Sequence, residues 1–413
     1  MAAGAQEKIV LIAGGGPVGL FNALLLGRSG VRVRVFDNNA EIQEDPRAAT
    51  THPATLEVLA EAGMVDDMTK AGLVAPIFQF WDRPSNKLIA QFDHALLKSD
   101  TDFPYVVQCE QFKTSRLLLD RLRALPNVEV YFSHTVTDVS QDANSVTVEV
   151  ESHGTKSRHR GSYLIGADGG RSVVRKQCGV DFEGFTYPER FLVLTTPFDF
   201  EKSRGFCTRT YIADPDEWCN CFKVAGDGST GLWRTVFPTD PDSSIESIMG
   251  ESAVQARLQK FFPTDTAYEV THRNLYTTHQ RVASTFRVGR VLLAGDSAHV
   301  NNSIGGMGLN GGLQDAANLA DKLAHVIVNG ASDGLLDLYS KQRRTVCIEF
   351  VQAQSIANKK RLETRDEATR AKNFAELSET AADPAKAREF LLGSSMISMQ
   401  RRAQSITLGH DGV

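Results

Sequence analysis

An apolar run, a glycine-rich turn and a second apolar run follow one another near the amino-terminal end, and this order constrains the fold more than any other feature. Residues 8–13 predict a buried strand, residues 17–28 a helix that ends near Gly30, and residues 31–37 a second strand. Strand, helix and strand together form a βαβ unit of about 30 residues. The chain is therefore predicted to contain a Rossmann-like α/β domain.

The turn between the first strand and the helix has the spacing Gly-x-Gly-x-x-Gly. Glycines permit the tight turn and let a pyrophosphate approach backbone N–H groups at the helix N-terminus. Asp37 ends the second strand about 20 residues on, where a carboxylate accepts hydrogen bonds from ribose hydroxyls. A glycine-rich turn beside a solvated aspartate is the structural alternative. We predict dinucleotide contacts from Gly14, Gly16, Pro17, Val18, Gly19, Asp37 and Asn38.

Length, charge and cysteine content indicate a globular protein of more than one unit and argue against several kinds of partner. With 413 residues, the chain is long enough for two or three packed units. A net charge of -5 and a pI near 6.1 argue against broad attraction to nucleic acid or to anionic lipid. The apolar run at residues 9–13 is too short for a signal peptide or a membrane span, so we expect a cytoplasmic enzyme. Only Cys219 and Cys221 lie close together among the six cysteines, which predicts no metal site.

Two later segments repeat the pattern of a strand followed by a glycine-rich turn. Residues 163–167 predict a strand, and Gly-Ala-Asp-Gly-Gly occupies positions 166–170. Residues 290–294 predict another strand, and Gly295 and Asp296 follow it directly. With the amino-terminal unit, these segments predict one discontinuous nucleotide-binding domain made of residues 1–75, 105–181 and 277–340.

The remaining stretches have a different composition. β-Branched and aromatic residues with turn signals predict an inserted β-sheet domain at 76–104 and 182–276, and a charged helical pattern predicts a carboxyl-terminal helical region at 341–413. The fold class is thus α/β plus α+β. Aromatic residues of the inserted domain are candidates for contact with a ligand, although aromatic residues at alternating strand positions more often form core. The candidates are Tyr211, Phe222, Trp233 and Arg234, followed by Trp218 and Tyr276.

The joint order of these motifs resembles the para-hydroxybenzoate hydroxylase family of FAD-dependent monooxygenases. The resemblance covers most of the chain, and the order of the motifs is far more specific than any single one. The segments at 182–184 and 187–191 are most similar to the branch that acts on small phenols, including nitrophenols. Further marks are Pro46-Arg47-Ala48, Thr55-Leu56-Glu57, Gln111, Asp168-Gly169 with Ser172 and Arg175, His279-Gln280-Arg281, residues 289–310 and residues 315–319.

The resemblance implies an FAD-dependent aromatic hydroxylase. Such an enzyme uses NADH or NADPH and O2 to add one oxygen atom to a small phenol-like ring through a flavin C4a-hydroperoxide. FAD is expected to bind without a covalent link, and the nicotinamide to bind transiently without a second Rossmann unit. The implied partner is a small aromatic substrate, with a homodimer as a further option, and neither nucleic acid nor a membrane is expected.

The resemblance also implies roles for residues outside the first turn. Arg47 is expected to contact phosphate and ring regions of the cofactor, Gln111 the flavin or ribityl chain, and Asp296 a ribityl or ribose hydroxyl. Asp168 is expected near FAD and the nicotinamide, with a purely turn-forming role as the alternative. The helix after position 306 should direct its positive end toward the flavin ring. The implied FAD-binding residues are Arg47, Gln111, Asp168, Gly295, Asp296, Gly306, Gly308, Leu309 and Asn310.

Ser303 departs from the family pattern, which places proline at this position. The carbonyl of that proline ordinarily lines the flavin face where oxygen transfer occurs, so Ser303, Gly305 and Gly306 are named as the catalytic loop. The departure favours one alternative, a flavin-bearing sensor or interaction protein that does not hydroxylate. A second alternative, a flavin-dependent halogenase, expects a W-x-W-x-I-P motif that the three tryptophans do not provide.

Overall fold

The computed structural model describes residues 8–228 and 231–409. The strands are β1 (Ile9–Ala13), β2 (Arg32–Phe36), β3 (Thr50–Thr51), β4 (Leu73–Ala75), β5 (Ile77–Asp82), β6 (Lys87–Asp93), β7 (Val106–Gln108), β8 (Val128–Tyr131), β9 (Thr135–Gln141), β10 (Val146–Ser152), β11 (Thr155–Gly161), β12 (Tyr163–Gly166), β13 (Phe182–Thr196), β14 (Arg209–Ala213), β15 (Cys219–Val224), β16 (Leu232–Pro238), β17 (His272–Ala283), β18 (Arg287–Val288), β19 (Val291–Leu293) and β20 (His299–Val300). The helices are α1 (Pro17–Arg28), α2 (Pro53–Glu61), α3 (Val65–Ala71), α4 (Gln111–Leu122), α5 (Val173–Gln177), α6 (Phe200–Arg204), α7 (Ile245–Met249), α8 (Glu251–Phe261), α9 (Met307–Val328), α10 (Gly334–Val346), α11 (Ala353–Glu363), α12 (Glu367–Ala382), α13 (Pro384–Ser394) and α14 (Ile397–Ser405), with a π-helical segment at Cys347–Gln352.

A six-stranded sheet carries the nucleotide-binding segments. Its order is β18-β19-β12-β1-β2-β8, and its strands are parallel except β18 at one edge. Ala13, at the end of the central strand β1, pairs with Gly166 of β12 and Phe36 of β2. Residues 10–12 are fully buried, as expected where a parallel sheet is covered on both faces. The predicted βαβ unit is confirmed, with each element within one residue of its predicted bounds.

Helix α1 is bounded by residues suited to those positions. It begins at Pro17, whose fixed φ matches the helix and whose missing N–H leaves no donor unsatisfied. It stops before Gly30, whose φ of +80° lies in the left-handed region that ends helices. The N-terminus of α1 therefore lies at the carboxyl ends of the parallel strands, where open α/β sheets bind ligands.

An eight-stranded sheet contains β5, β6, the strands from β13 to β17 and β20. Its order is β20-β17-β13-β16-β15-β14-β5-β6, and only β14 and β5 pair in parallel. Alternate residues of a strand point to opposite faces. Leu192, Leu194 and Trp233 belong to a hydrophobic core on one face, whereas Val193 and Arg234 point to the other. That second face is directed toward the six-stranded nucleotide-binding sheet.

The carboxyl-terminal part of the chain is helical. Helix α10 packs on the long helix α9, and α12 and α13 pack against β6 and the turn that follows it. The predicted fold class, α/β plus α+β with a carboxyl-terminal helical region, is confirmed. Over residues 8–228 and 231–409, no helix has the length and apolar character needed to cross a membrane. The same ranges contain no group of three or more side chains able to hold a metal ion.

Candidate functional site

Two adjoining cavities lie where the two large sheets meet. The turn cavity, of about 530 Å³, lies over the Gly-x-Gly turn and the ends of β2 and β12. The sheet cavity, of about 570 Å³, is bounded by the same turn, the N-terminus of α9 and the second face of the eight-stranded sheet. Gly16, Pro17, Arg47 and Gln111 line both cavities. The two cavities therefore adjoin along these residues.

The glycines of the first turn have separate physical roles. A Cβ at Gly14, whose φ is +107°, would lie 2.2 Å from the Ala167 oxygen, and one at Gly19 would lie 1.9 Å from the Gly14 oxygen. These two glycines allow α1, β1 and β12 to approach each other. A Cβ at Gly16 would meet no protein atom within 4 Å, although the residue lines both cavities. Gly16 thus keeps its backbone open to a ligand.

Asp37 braces the turn in addition to lining the turn cavity. Its Oδ2 accepts a hydrogen bond from the Gly15 N–H at 2.6 Å, and its Oδ1 accepts from the backbone and side chain of Asn39. A carboxylate has about four acceptor positions, so these three bonds leave about one position for a ribose hydroxyl. The predicted role of Asp37 stays a prediction, now with a local structural role beside it.

Asp168 caps the helix that follows it. Its carboxylate accepts hydrogen bonds from Ser172 Oγ at 2.5 Å and from the N–H groups of Val173 and Val174 at 2.7 and 3.1 Å. Burial raises the pKa of Asp168, although these hydrogen bonds oppose the rise. The turn-forming alternative therefore has direct contacts, and Asp168 also lines the turn cavity beside Gly169.

The N-terminus of α9 opens into the sheet cavity. Its cap residue is Gly306, with a φ of +69°, and no side chain caps this end within the described chain. Residues 306–309 line the cavity, so the free N–H groups and the positive helix end face it. Asn310 lies one step further in and is fully buried, where it donates to the backbone oxygens of Thr50 and Gly306. Asn310 braces this loop from behind.

Asp296 presents a carboxylate to the sheet cavity. It follows Gly295, whose φ of +64° turns the chain sharply at the end of β19. Burial raises the pKa of the Asp296 carboxyl, and the charges of His299 and Arg47 oppose that rise. No hydrogen bond to this carboxylate is made by the residues that the structure describes, so its oxygens remain available to a ligand hydroxyl.

A buried network holds the loop of Asp296 in place. Asp315 Oδ2 accepts from the Gly295 N–H at 3.1 Å and lies 2.8 Å from His299 Nε2. Asp315 Oδ1 accepts from Arg343 Nε at 2.6 Å, and all three side chains of this network are almost fully buried. The sequence identified Asp315 only as part of the motif at residues 315–319 and predicted no contact for it. Arg343 carried no signal, because its partner is 28 residues away.

The second face of the eight-stranded sheet forms the apolar wall of the sheet cavity. Phe222 and Arg234, both named from the sequence, line it together with Tyr276. Arg234 Nη1 donates to the Arg47 oxygen at 2.9 Å, and its Nε has no partner in the described chain. Burial lowers the pKa of Arg234 to about 10, so the guanidinium stays charged at neutral pH.

Three of the aromatic candidates lie elsewhere. Trp233 is 1% exposed and lies in the core on the opposite face, because it neighbours Arg234 on the same strand. Trp233 therefore does not line either cavity and is removed from the proposed site. Trp218 packs edge-on against Phe191, at 5.2 Å between ring centroids. Tyr211 lines a smaller chamber beyond Phe222.

The residues of the predicted catalytic loop face two different cavities. Ser303 points into the sheet cavity, where its Oγ lies 2.8 Å from the Tyr276 hydroxyl. Burial raises the pKa of Tyr276 to about 12, so its phenol stays protonated. Gly305, with a φ of +99°, lies at the smaller chamber, and its oxygen is 2.7 Å from His52 Nε2. His52 was not identified from the sequence, because a histidine before a proline carries no distinctive signal.

The structure brings most of the predicted site residues to the two cavities. Gly19, Gly295 and Asn310 instead support the backbone behind them. The predicted residues at the turn cavity are Gly14, Gly16, Pro17, Asp37, Asn38, Arg47, Gln111 and Asp168. Those at the sheet cavity are Gly16, Pro17, Val18, Arg47, Gln111, Phe222, Arg234, Asp296, Ser303, Gly306, Gly308 and Leu309.

The arrangement fits an extended dinucleotide with a flat ring at one end. The N-termini of α1 and α9 face the joined space, and no side chain in the described part of the chain caps them. Such ends bind phosphate and other negative charge through free N–H groups. Asp37 and Asp296 offer acceptors for sugar hydroxyls in the turn cavity and the sheet cavity, respectively.

Comparison with known proteins places this geometry among flavoproteins. The profile of a family described as an FAD binding domain matches residues 7–354. Para-nitrophenol 4-monooxygenase of Pseudomonas sp. (strain WBC-3) is 38% identical over 399 residues, which cover 95% of this chain and 96% of that protein. A 6-hydroxy-3-succinoylpyridine 3-monooxygenase of Pseudomonas putida (strain DSM 28022 / S16) is 37% identical and covers 86% of this chain and 89% of that protein. The crystal structure of p-nitrophenol 4-monooxygenase from Pseudomonas putida DLL-E4 superposes with a TM-score of 0.89 at 36% identity, over 97% of this chain and 99% of that one.

Proposed function

Since this chain belongs to the FAD binding domain family, we propose that it is an FAD-dependent monooxygenase that hydroxylates a small phenolic ring with NADH or NADPH and O2. The observation that supports this most is the sheet cavity itself. In it, the positive end of α9 and the cation of Arg234 meet an apolar sheet face large enough for a ring. Relatives named as monooxygenases of aromatic compounds support the same reaction.

The residues that would hold FAD follow from the two cavities. The open backbone at Gly16 and the N-terminus of α1 suit the pyrophosphate, and Asp37 suits the adenosine ribose. Asp296 suits a hydroxyl of the ribityl chain, and Arg47 lies where the two cavities join. When bound, FAD supplies the redox chemistry, taking a hydride from the nicotinamide and activating O2.

The protein itself positions the reactants and stabilises charge in the sheet cavity. The N–H groups at the start of α9 and the charged Arg234 hold a positive potential in the sheet cavity, which stabilises negative charge that develops there. Val193, Val236 and Phe222 supply an apolar wall against which an aromatic ring packs. Holding reactants within about 3 to 3.5 Å contributes more to such a reaction than any single acid or base.

A screen of small phenols tests the proposal. The purified protein should be yellow, and a phenol that is a substrate should stimulate oxidation of NADH or NADPH and gain the mass of one oxygen atom. Bound flavin without any phenol-stimulated oxidation would favour the sensor alternative suggested by Ser303. A product that carries a halogen in place of the oxygen would point to the halogenase alternative.

Two finer points remain proposals taken from the sequence. We propose that the protein is located in the cytoplasm and that it forms a homodimer. Cell fractionation tests the location, and light scattering of the purified protein tests the oligomeric state. A monomer over the working concentration range would reject the dimer without affecting the proposed reaction.

A further inference from the structure

A small chamber lies beside the sheet cavity, between β5, β14 and the carboxyl-terminal helices, and we call it the side chamber. Its free volume is about 20 Å³, which suits a small substituent and not a whole ring. Met307 lines both the side chamber and the sheet cavity. Phe222 of the sheet cavity lies edge-on to Tyr211 of the side chamber, with ring centroids 5.5 Å apart. The side chamber therefore adjoins the proposed ring-binding space.

Arg209 is an unusual side chain for so apolar a chamber. It is only 3% exposed, and its guanidinium lies 5.2 Å from the centre of the Phe78 ring. Its Nη2 donates to the Tyr211 hydroxyl at 3.2 Å, but Nε and Nη1 have no hydrogen-bond partner within the described chain. No carboxylate in that part of the chain forms an ion pair with it. Buried, unsatisfied donors on a charged group are costly, and a ligand oxygen would satisfy them.

His52 supplies the complementary group. It is 1% exposed, and its Nε2 lies 2.7 Å from the Gly305 oxygen, which can only accept. Nε2 therefore carries the proton, and Nδ1 is an acceptor, which has no partner among the described residues. Burial and the charge of Arg209 lower the pKa of His52 to about 3, so the ring is neutral.

The other charged or titratable groups near the side chamber do not change this pattern. His94 donates through Nδ1 to the Pro76 oxygen at 2.8 Å, and burial lowers its pKa to about 4, so its ring is neutral. Arg361 lies over the Phe80 and Phe390 rings, 5.9 Å from each centre, and adds positive charge. The side chamber thus places the cationic donors of Arg209 and the neutral acceptor His52 Nδ1 beside the neutral amides of Gln354 and Asn358.

We propose that the side chamber binds the ring hydroxyl of the substrate, with Arg209 donating to the hydroxyl oxygen and His52 Nδ1 accepting its hydrogen bond. The inference rests on the proposed function and adds the residues that recognise a phenol. A nitro or carboxylate group has only acceptors and would leave His52 Nδ1 unsatisfied, whereas a hydroxyl satisfies both side chains. The positive charge of Arg209 also stabilises negative charge that develops on the hydroxyl oxygen, which lowers the pKa of the bound phenol and makes the ring a better electron donor.

Binding to the oxidised, FAD-loaded enzyme tests this assignment without turnover. The probes are 4-nitrophenol and nitrobenzene, which differ by the hydroxyl alone, followed through the absorbance change of the flavin. The parent should bind 4-nitrophenol more tightly. Arg209→Gln should weaken 4-nitrophenol binding by about tenfold to a hundredfold and nitrobenzene binding by less than about twofold, because only the hydroxyl loses a charged partner.

A second readout separates recognition from structure. The visible absorbance of bound 4-nitrophenolate reports the ionisation of the phenol, and Arg209→Gln should raise the apparent pKa of the bound phenol. Arg209→Lys keeps the charge and should show a smaller rise, and it carries the same test if Arg209→Gln fails to fold. Arg83→Gln is the matched control, since Arg83 is also largely buried but is paired with Asp214 at 3.4 Å. Its binding of both probes should equal that of the parent.

Three results overturn the inference. They are equal losses for both probes in Arg209→Gln, an unchanged affinity for 4-nitrophenol in that variant, or a parent that binds the two probes equally. Each can occur in an enzyme that still hydroxylates a phenol, so the proposed function would survive. Absence of any phenol-stimulated NADH or NADPH oxidation would instead reject the proposed function.

Discussion

At the scale of single residues, Asp296 is the carboxylate with the most free hydrogen-bonding capacity among those we assign to the cofactor. Its carboxylate lies in the sheet cavity near the charges of Arg47 and His299, and the described chain offers it no hydrogen bond. Asp37, by contrast, already accepts three hydrogen bonds from the turn and its flank. A ligand hydroxyl is therefore a larger gain for Asp296 than for Asp37.

Asp296→Ala should weaken FAD binding by about tenfold to a hundredfold, since a hydrogen bond to a charged group contributes about 1.5 to 3 kcal/mol. Fluorescence titration of the apoprotein with FAD measures the change. Asp321→Ala is the control. Asp321 lies on α9 with its side chain exposed to solvent, so this variant should bind FAD as the parent does. Parent-like affinity in Asp296→Ala would remove this residue from the cofactor site.

At the scale of elements, the helix N-termini of α1 and α9 organise the site. The N-cap residue of each helix is a glycine, no side chain among the described residues caps either end, and each end faces a cavity. At α1, the glycines divide into those needed for packing and one needed for an open backbone. At α9, the preceding loop connects the sheet cavity to the side chamber through Ser303 and Gly305.

Two substitutions in the first turn should have different effects. In Gly19→Ala, the added Cβ would lie 1.9 Å from a backbone oxygen, so the apoprotein should lose about 1 to 3 kcal/mol of stability. In Gly16→Ala, the Cβ meets no protein atom, so stability should stay near that of the parent while FAD affinity falls. Thermal unfolding of the apoproteins and FAD titration separate the two outcomes. A Gly16→Ala variant that keeps full FAD affinity would show that no ligand approaches this backbone.

The loop before α9 makes a prediction about Ser303. The Ser303 N–H has no backbone partner in the described chain, so proline removes no hydrogen bond there and restricts φ near -65°. We expect Ser303→Pro to bind FAD, to be reduced normally and to give at least as much hydroxylated product per O2 consumed as the parent. Product mass and oxygen uptake measure this coupling.

Ser303→Ala serves as the comparison, because it removes the hydroxyl that lies 2.8 Å from the Tyr276 hydroxyl but leaves the loop free. If Ser303→Pro is reduced but makes no product while Ser303→Ala stays coupled, loop mobility is essential. If both variants lose product, the serine hydroxyl is essential. Either result would distinguish this site from the family pattern.

At the scale of the whole molecule, a buried ionic network joins the nucleotide-binding sheet to the carboxyl-terminal helices. His299, Asp315 and Arg343 link β20, α9 and α10. Burial alone would lower the pKa of His299, but Cys347 and Asp315 raise it well above its ordinary value of 6.5. The imidazolium is therefore the form that the folded protein stabilises.

This network predicts a pH dependence of stability. Because the folded pKa of His299 is raised, its contribution is fully present below the unfolded value near 6.5 and is lost as pH rises toward the folded value. Urea unfolding of the parent should therefore show a free energy of unfolding that falls as the pH rises from 6 to 9. His299→Gln should reduce the slope, whereas His325→Gln, at the exposed end of α9, should leave it unchanged. An identical slope in His299→Gln would assign the dependence to other groups.

Local patterns were enough to predict the βαβ unit, the glycine turns and the fold class, because strand and helix periodicity and turn glycines act over a few residues. The sequence motifs also identified Asp37, Arg47, Gln111 and Asp296, and these residues line the cavities. The tertiary structure alone decided which strand face meets the cavity, and so separated Arg234 from its neighbour Trp233. It also brought Arg209 and His52 together across more than 150 positions of the chain. Such pairings depend on strand order and long-range packing, which no local spacing of residues encodes.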